Sequence, residues 1–283
     1  MRGLSPISLP CVVSPREYES IVSRKREIFR RPRVLIVTLL ALLVALGGYR
    51  VSAHFLHSAN PCGALSGAAA AAFDSMVGEM ALGVAHNVDS DRTEVERAVA
   101  CGAGVIEFDV VMIDGQLGVA HDPPDPSMVA STPLLADLWP VAVDAGWVNL
   151  DIKDSSPAAL DLLTAFLAGP MEPRPRSISV SSPDAAVLAT VAERSPDVAR
   201  FQSLGDEDQL GAFQAGFSPD VVTGVSIEEK LVNAAAVQWF RERGIDVWVW
   251  QVSDPLRAQE LIELGVDGII TDNLVLLDAL KRD

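Results

Sequence analysis

Residues 105–110 read Val-Ile-Glu-Phe-Asp-Val, and this stretch decides the fold. Its β-branched and aromatic residues favour a β-strand. Because successive side chains of a strand point to opposite faces, Glu107 and Asp109 share one face and the apolar residues occupy the other. Such a pair of acids is compatible with a half-exposed strand that faces water. It is also compatible with a strand covered on both faces, as in a parallel sheet.

The sequence around this strand repeats one unit. From Met80 onward, short β-rich runs alternate with amphipathic helical patterns such as Thr93–Cys101, Ala158–Leu167, Asn233–Arg243 and Pro255–Leu264. Strands are predicted at eight places: Ala81–His86, Val105–Val111, Trp147–Ile152, Ser177–Ser181, Val198–Gln202, Val221–Ser226, Asp246–Val252 and Gly268–Thr271. The alternation predicts a parallel sheet built from βαβ units. Eight units predict an α/β fold of the (β/α)8 TIM-barrel type, slightly short, and periodicity alone leaves an open doubly wound sheet as the alternative.

In a barrel the two acids of the deciding strand point inward, where an unpaired carboxylate costs several kcal/mol. A bound cation removes that cost. Asp151 ends the next predicted strand at an equivalent height and supplies a third carboxylate. Three hard oxygen ligands suit Mg²⁺ or Ca²⁺ better than Zn²⁺, and Mg²⁺ is preferred. The sequence therefore predicts Glu107, Asp109 and Asp151 as metal ligands.

Histidines follow two of the predicted extended segments. His86 ends the first strand, and His121 ends an arm over residues 116–121 that returns from a hairpin signal at Asp114-Gly115. The chain's other two histidines, His54 and His57, lie outside the barrel region. An imidazole serves as base or acid near neutral pH, so the two barrel histidines are predicted to be catalytic.

Two further residues are candidates for the site. Lys153, two residues after the third carboxylate, is predicted to contact a substrate phosphate, with a surface lysine as the alternative. Trp250 projects from the seventh predicted strand and is predicted to line the pocket, with packing in the core as the alternative.

Charge is distributed unevenly along the chain. Residues 1–33 hold eight Lys and Arg against three Asp and Glu, a balance of +5, so that the remaining residues carry −21 of the net charge of −16. A body this acidic repels a phosphate backbone, and nucleic acid is not expected as a partner.

An apolar run at residues 34–49 follows the basic segment. This order is typical of a signal peptide or signal anchor, predicted here over residues 34–56. Residues 57–78, rich in Ala, Gly and Ser, are predicted to be a linker, either irregular or partly helical, and residues 79–283 the barrel domain. Positive charge stays inside, so the barrel is expected outside the cytoplasm, attached to the membrane or secreted after cleavage.

The chain has three cysteines and no spacing typical of zinc. If the body is exported, Cys62 and Cys101 could form a disulfide, while Cys11 stays on the reducing side. The favoured interpretation is that these cysteines are inert core residues.

Taken in order, these segments resemble the glycerophosphodiester phosphodiesterase superfamily of PLC-like phosphodiesterase TIM barrels, which includes the sphingomyelinase D/phospholipase D toxins. The resemblance covers residues 80–275 and also includes Leu-Asp-Ile-Lys at 150–153, the stretch at 249–255 and the stretch at 264–272. It implies a divalent metal held by Glu107, Asp109 and Asp151. By the same resemblance His86 and His121 match the acid–base pair, and Lys153 matches the phosphate-side lysine.

The chain departs from the family pattern after the first histidine and at the third carboxylate. Asn87 stands where the glycerophosphodiesterases have Arg, and residues 88–91 replace their Pro-Glu-Asn-Thr. Asp151 replaces the more usual Glu, as it does in the sphingomyelinase D branch. The loss of that Arg concerns recognition of a glycerophosphodiester and leaves metal-assisted phosphodiester cleavage untouched.

The expected function is therefore metal-dependent cleavage of a glycerophosphodiester or a phospholipid-type phosphodiester, with a small molecule or a lipid headgroup as substrate. The alternative is a non-catalytic, membrane-anchored barrel that binds a phosphoester or a protein. The sequence leaves the nucleophile open, since either water or a substrate hydroxyl can attack, and it leaves open which histidine is the base.

Overall fold

A computed structural model of the chain describes residues 62–75, 81–86, 91–169 and 174–281. The predicted basic segment 1–33 and apolar segment 34–56 lie outside these residues. Within the part that the structure describes, no helix is both long and apolar enough to cross a membrane.

The strands alternate with helices along the chain, as predicted. The strands of the described residues are β1 (Leu82–Ala85), β2 (Val105–Ile113), β3 (Gln116–Val119), β4 (Trp147–Ile152), β5 (Ser177–Ser182), β6 (Ala199–Leu204), β7 (Gly224–Glu228), β8 (Asp246–Trp250) and β9 (Gly268–Thr271). The helices are α1 (Gly67–Ser75), α2 (Arg92–Ala100), α3 (Leu135–Ala142), α4 (Pro157–Ala168), α5 (Ala185–Arg194), α6 (Glu207–Gly216), α7 (Ala234–Arg241), α8 (Pro255–Leu264) and α9 (Leu274–Ala279).

All strands except β3 pair in parallel and form a closed barrel. The order around it is β1-β9-β8-β7-β6-β5-β4-β2, and β1 pairs with both β9 and β2. Because the first and last strands of this order also pair with each other, the sheet has no free edge and is closed. The predicted barrel is therefore confirmed, and the open doubly wound sheet is excluded.

Most helices start at a short polar side chain that caps the first turn. Such side chains accept hydrogen bonds from the first backbone N–H groups, which have no partner inside the helix. The residues that do so are Asp91, Ser156, Asp184, Asp206, Asn233, Asp254 and Asn273. These caps set where each helix leaves the carboxyl end of its strand, and hence the shape of the barrel mouth.

The predicted hairpin joins β2 to the antiparallel arm β3. Asp114 and Gly115 both have positive φ, +47° and +76°, as a two-residue primed turn requires. The register pairs Ile113 with Gln116 and Val110 with Val119. The backbone N–H of Ala120 then donates to the carbonyl oxygen of Asp109, which fixes the end of the arm beside the acids of β2.

The apolar core lies on both sides of the barrel wall. The larger cluster packs the outward-facing strand residues against the helices, and β2 is buried over almost its whole length. A smaller cluster fills the barrel interior and consists of Val84, Val105, Phe201, Trp248 and Ile270. Both faces of the strands are thus covered, as predicted for the strand that carries Glu107 and Asp109.

The structure corrects the interpretation of two cysteines. Cys62 and Cys101 are both buried, but they are joined in a disulfide with a Cα–Cα distance of 5.3 Å, rather than being inert core residues. Cys101 caps the end of α2. The bond closes a loop between residues 39 positions apart and ties the segment before α1 to the barrel.

Candidate active site

Three buried carboxylates meet at the carboxyl ends of β2 and β4. The register places Asp109 beside Asp151, and Glu107 lies two residues earlier on β2, on the same face. The three residues are 4–7% exposed. One carboxylate oxygen from each can be chosen so that all three lie within 4.8 Å of one another. The structure therefore brings together the three acids that the sequence singles out.

Lys153 closes this cluster from one side. Its Nζ lies 3.0 Å from Asp109 Oδ1 and 2.5 Å from Asp151 Oδ2, and its side chain is 24% exposed. Burial alone would lower the pKa of the Lys153 ammonium, but the Asp151 and Asp109 carboxylates outweigh it and raise that pKa. The side chain therefore stays charged at neutral pH, and it is a paired, half-buried cation rather than an ordinary surface lysine.

The ionised form of the Asp109 carboxyl is destabilised in the metal-free protein. Burial raises its pKa above the ordinary value, and the Lys153 ammonium offsets only part of this rise. The neighbouring Asp151 carboxylate adds to the rise. The Lys153 ammonium thus fails to offset the burial of the Asp109 carboxyl and its repulsion by Asp151.

The residues present fit a divalent ion. The donor set is three carboxylates, which hard cations prefer, and no cysteine or histidine is part of this cluster among the described residues. A second positive charge at this point would remove the residual cost of ionising Asp109. The cluster can therefore hold a divalent ion.

The two barrel histidines approach the cluster from different segments. His86 follows β1, and its backbone N–H donates to the carbonyl oxygen of Thr271 on β9. His121 follows the arm β3, with a side chain that is 64% exposed and Nδ1 3.4 Å from Asp122 Oδ1. His86 is thus set in the barrel rim, while His121 stands over it on the arm.

One cavity of about 500 Å³ joins these groups. Its walls include six of the seven residues predicted for the site, namely His86, Glu107, His121, Asp151, Lys153 and Trp250. The seventh, Asp109, lies behind them, against Lys153. Trp250 is partly buried and also packs against the interior cluster, so it takes part in both arrangements that the sequence left open.

The sequence interpretation missed several polar residues of the site. Ser203, Gln209, Ser226 and Gln251 line the cavity. Ser181 on β5 donates a hydrogen bond from Oγ to Asp151 Oδ1 at 2.8 Å. The alternation of Ser177, Ser179 and Ser181 with apolar residues on β5 predicts a shared polar face, as for the acids on β2, but the group that Ser181 contacts depends on the register with β4.

Comparison with known proteins gives one family and a set of solved structures. Residues 153–276 match the glycerophosphoryl diester phosphodiesterase family. A phosphodiesterase from Oleispira antarctica, solved with the product sn-glycerol-3-phosphate, is 15% identical, with a TM-score of 0.59 over 71% of this chain and 96% of that chain. The glycerophosphodiester phosphodiesterase of Thermotoga maritima is 20% identical, with a TM-score of 0.58 over 73% and 100%.

A glycerophosphodiester phosphodiesterase from Agrobacterium tumefaciens is 18% identical, with a TM-score of 0.56 over 71% of this chain and 100% of that chain. The comparison with curated proteins finds no match. At these identities the solved structures establish the fold. The family match begins at Lys153, so the histidines and the three acids rest on their positions in the structure rather than on that match.

Proposed function

We propose, from the match of residues 153–276 to the glycerophosphoryl diester phosphodiesterase family, that the chain is a metal-dependent phosphodiesterase acting on a glycerophosphodiester or a phospholipid-type phosphodiester. Enzymes of this family are phosphoric diester hydrolases. A relative of the same fold was solved with sn-glycerol-3-phosphate as its product, which supports a glycerol-based substrate.

The observation that carries the proposal is the single cavity that joins two imidazoles, the carboxylate cluster and Lys153. Phosphodiester cleavage needs a base for the nucleophile, an acid for the leaving oxygen and positive charge beside the phosphoryl oxygens. All three requirements have a candidate here. A barrel that only bound a phosphoester, the alternative function, would need the positive charge but not two imidazoles at the mouth.

The carboxylates of Glu107, Asp109 and Asp151 would hold a divalent ion, with Mg²⁺ preferred and Ca²⁺ as the alternative. When bound, it supplies positive charge that stabilises the negative charge developing on the phosphoryl oxygens. Lys153 adds a second cation at the cavity wall, and its raised pKa keeps it protonated over the physiological range. Together they attract an anionic ester into a body that is otherwise strongly acidic.

His86 and His121 divide the proton transfers. One imidazole takes the proton from the attacking hydroxyl, and the other delivers a proton to the leaving oxygen. Nδ1 of His121 faces the Asp122 carboxylate, which leaves Nε2 as the atom that exchanges a proton with the substrate. Attack by water gives a phosphomonoester, and attack by a hydroxyl of the substrate gives a cyclic phosphate.

The test is hydrolysis of bis(p-nitrophenyl) phosphate by the full chain with Mg²⁺, Ca²⁺ or Mn²⁺ and after chelation. We expect His86→Ala and His121→Ala each to abolish turnover while the circular dichroism spectrum is unchanged. His57→Ala, a histidine outside the predicted barrel domain, is the matched control and should keep full turnover. Activity that survives either barrel substitution would remove the acid–base assignment, and binding of the ester without turnover by the wild type would favour the alternative function.

A neighbouring groove favours a substrate with an apolar tail. A second cavity of about 490 Å³ lies between α5 and α6 and shares Pro183, Ser203 and Gln209 with the catalytic cavity. Its lining is largely apolar and includes Phe213, Phe217 and Val222. A cavity of this size and character is typical of a ligand site, and its position next to the catalytic cavity suits an alkyl chain joined to the phosphodiester.

Small side chains keep this groove open. Ala189 on α5 and Ala212 and Gly216 on α6 face it and are exposed to solvent. We expect Ala212→Leu to lower kcat/KM for a lysophospholipid by about tenfold while kcat/KM for glycerophosphocholine is unchanged. Ala215→Leu, on the same helix but outside the groove wall, is the control. Equal losses on both substrates would assign the groove no part in substrate choice.

We also propose that the barrel lies outside the cytoplasm, either anchored by the apolar segment 34–56 or released by its cleavage. The buried Cys62–Cys101 disulfide supports this location, because such bonds persist in oxidising compartments and are rare in the cytosol. The test is thiol labelling, under denaturing conditions and without reductant, of the protein taken from intact cells. Full labelling of Cys62 and Cys101 would contradict an exported barrel.

A further inference from the structure

A row of side-chain hydrogen bonds runs between β4 and β5 inside the barrel, from Trp147 to Asp151. Trp147 Nε1 donates to Ser179 Oγ at 3.0 Å, and Ser179 Oγ donates to Asn149 Oδ1 at 2.7 Å. Asn149 Nδ2 then donates to Ser181 Oγ at 2.9 Å, and Ser181 Oγ donates to Asp151 Oδ1 at 2.8 Å. We call Trp147, Ser179, Asn149 and Ser181 the interior ladder.

The register of the two strands produces this arrangement. Asn149 pairs with Ser179, and Asp151 pairs with Ser181, so two of the bonds run level across the strands. The other two rise diagonally by one inward-facing position. Inward-facing residues recur every two positions on a strand, and the ladder therefore uses each successive one from Trp147 up to the carboxylate.

Both ends of the ladder are fixed by chemistry. The indole N–H can only donate, and an ionised carboxylate can only accept. The Ser179 hydroxyl, which accepts from the indole, must turn its one proton to the amide oxygen of Asn149. The amide nitrogen is then left for Ser181, whose proton goes to Asp151. Every proton in the row thus points toward the carboxylate cluster, and bonds aligned in one direction polarise one another.

The ladder separates the two oxygens of Asp151. Oδ1 accepts from Ser181 inside the barrel, whereas Oδ2 accepts from Lys153 Nζ at the cavity. Ser179, Asn149 and Ser181 are 0–2% exposed, so water does not compete for these bonds. A carboxylate held by one oxygen in a fixed direction presents the other in a fixed direction as well.

We propose that the interior ladder is a positioning device that aims Asp151 Oδ2 at the divalent-ion site, so that residues as far down the barrel as Trp147 tune metal affinity. The inference rests on the cation site of the proposed function. Hydrogen bonds of this kind to a ligating carboxylate hold its orientation, and their loss commonly weakens metal binding or activity by about 10- to 100-fold. Trp147, Ser179, Asn149 and Ser181 act through Asp151 and touch neither metal nor substrate.

The experiment measures Mg²⁺ affinity of the full chain by calorimetry, together with the rise in Tm that Mg²⁺ causes. We expect Ser181→Ala to weaken Mg²⁺ binding at least about tenfold. Ser181→Thr keeps the hydroxyl and should restore most of the affinity. Trp147→Phe keeps an aromatic ring but removes the indole N–H donor, and it should weaken Mg²⁺ binding by a smaller factor.

Ser177→Ala is the matched control. Ser177 is the preceding inward-facing serine on β5, in register with Trp147, but it stands outside the ladder. Its substitution should leave Mg²⁺ affinity unchanged. If Ser181→Ala fails to fold, the threonine variant and Trp147→Phe decide the question, because the first keeps the hydroxyl and the second removes the indole donor while keeping an aromatic ring.

Three results would overturn the inference: wild-type affinity in Ser181→Ala, an affinity in Ser181→Thr as low as in the alanine variant, or wild-type affinity in Trp147→Phe. A wild-type chain that binds no Mg²⁺, Ca²⁺ or Mn²⁺ would overturn this inference and the metal-dependent part of the proposed function together. An unchanged affinity in the variants of a metal-binding wild type would overturn the ladder alone.

Discussion

The barrel interior consists of two regions that are built on opposite principles. At Val105 on β2 and on the side of β1, β6, β8 and β9 it is apolar, and Phe201 and Trp248 pack with ring centroids 4.2 Å apart. On the side of β2, β4 and β5 it holds buried carboxylates, an amide and hydroxyls: Glu107, Asp109, Asn149, Asp151, Ser179 and Ser181. Burial of the first region stabilises the folded state, whereas burial of the second destabilises it unless every polar group is paired.

In the apolar region, the backbone at two glycines lies directly against the aromatic rings. A Cβ on Gly224 would lie 2.4 Å from the Phe201 ring, and one on Gly268 would lie 2.5 Å from the Trp248 ring. Strands β7 and β9 therefore begin with glycine to make room for these rings. In the polar region, by contrast, Lys153 forms ion pairs with Asp109 and Asp151, and Ser181 of the ladder donates a hydrogen bond to Asp151. The difference indicates that stability comes from one half of the interior and chemistry from the other.

The strongest test of this division removes the largest apolar side chain. We expect Trp248→Ala to lower the free energy of unfolding by about 3–5 kcal/mol, since a buried aromatic is replaced by a cavity. Urea denaturation monitored by far-UV circular dichroism measures the change. Trp248→Phe, which leaves a smaller void, should cost less. An alanine variant as stable as the wild type would remove the distinction between the two regions.

The next effect falls on the polar region and should leave stability intact. Glu107→Gln keeps the shape of the side chain but removes one of three ligand charges. We expect Mg²⁺ affinity to fall by more than about 100-fold, beyond the range typical for residues that only support a ligand. Calorimetry measures this loss. Glu228→Gln, at the end of β7 and outside the carboxylate cluster, is the control and should bind Mg²⁺ as the wild type does.

The sequence predicted the strands best where burial on both faces makes their pattern continuous. The bounds of β4 and β9 are as predicted. The sixth predicted strand, at Val221–Ser226, corresponds to β7, which runs from Gly224 to Glu228. It begins later than predicted because Val222 packs into the core from the preceding turn. The strand prediction at Val198–Gln202 stops two residues short of Leu204. Gln202 looks like a strand end, but its amide donates to the carbonyl oxygens of Ser182 and Pro183.

The site was predictable to the extent that its chemistry is local. Two acids at spacing i, i+2 on one strand necessarily share a face, so Glu107 and Asp109 could be paired from sequence. The role of Ser181 could not, because it depends on the register between β4 and β5. The same is true of the Cys62–Cys101 disulfide, whose residues are brought together only by the folded chain.

Removing the ammonium of Lys153 from the polar region is expected to cause a smaller loss of stability than Trp248→Ala. Lys153→Met removes the ammonium shared by Asp109 and Asp151, and leaving such buried acceptors unpaired costs about 1–3 kcal/mol. The loss should be measured by urea denaturation in the metal-free protein and should shrink when Mg²⁺ is added. Lys230→Met breaks the more exposed pair with Glu228 and should change stability little. Equal losses in the two variants would contradict a special role for Lys153.

The smallest effect has the opposite sign and tests whether the polar region is a cost to the fold. Burial raises the pKa of Asp109 above its ordinary value of 3.8 even with Lys153 in place. The folded state therefore binds the proton more tightly than the unfolded state does. The associated stabilisation is complete below pH 3.8 and is lost as the pH rises through the higher folded value. At neutral pH the ionised carboxyl is a net burden on the metal-free protein.

Asp109→Asn should consequently be slightly more stable than the wild type at pH 7 without metal, and it should no longer bind Mg²⁺ tightly. Because asparagine does not titrate, the stability difference between the two proteins should be smallest near pH 3.8, grow as the pH rises and then level off. Urea denaturation over pH 4–8 in the presence of a chelator measures this, with the exposed neighbour Asp122→Asn as control. If Asp109→Asn is the less stable protein at pH 7, the pairing with Lys153 outweighs burial. The polar half of the interior would then contribute to stability, as the apolar half does.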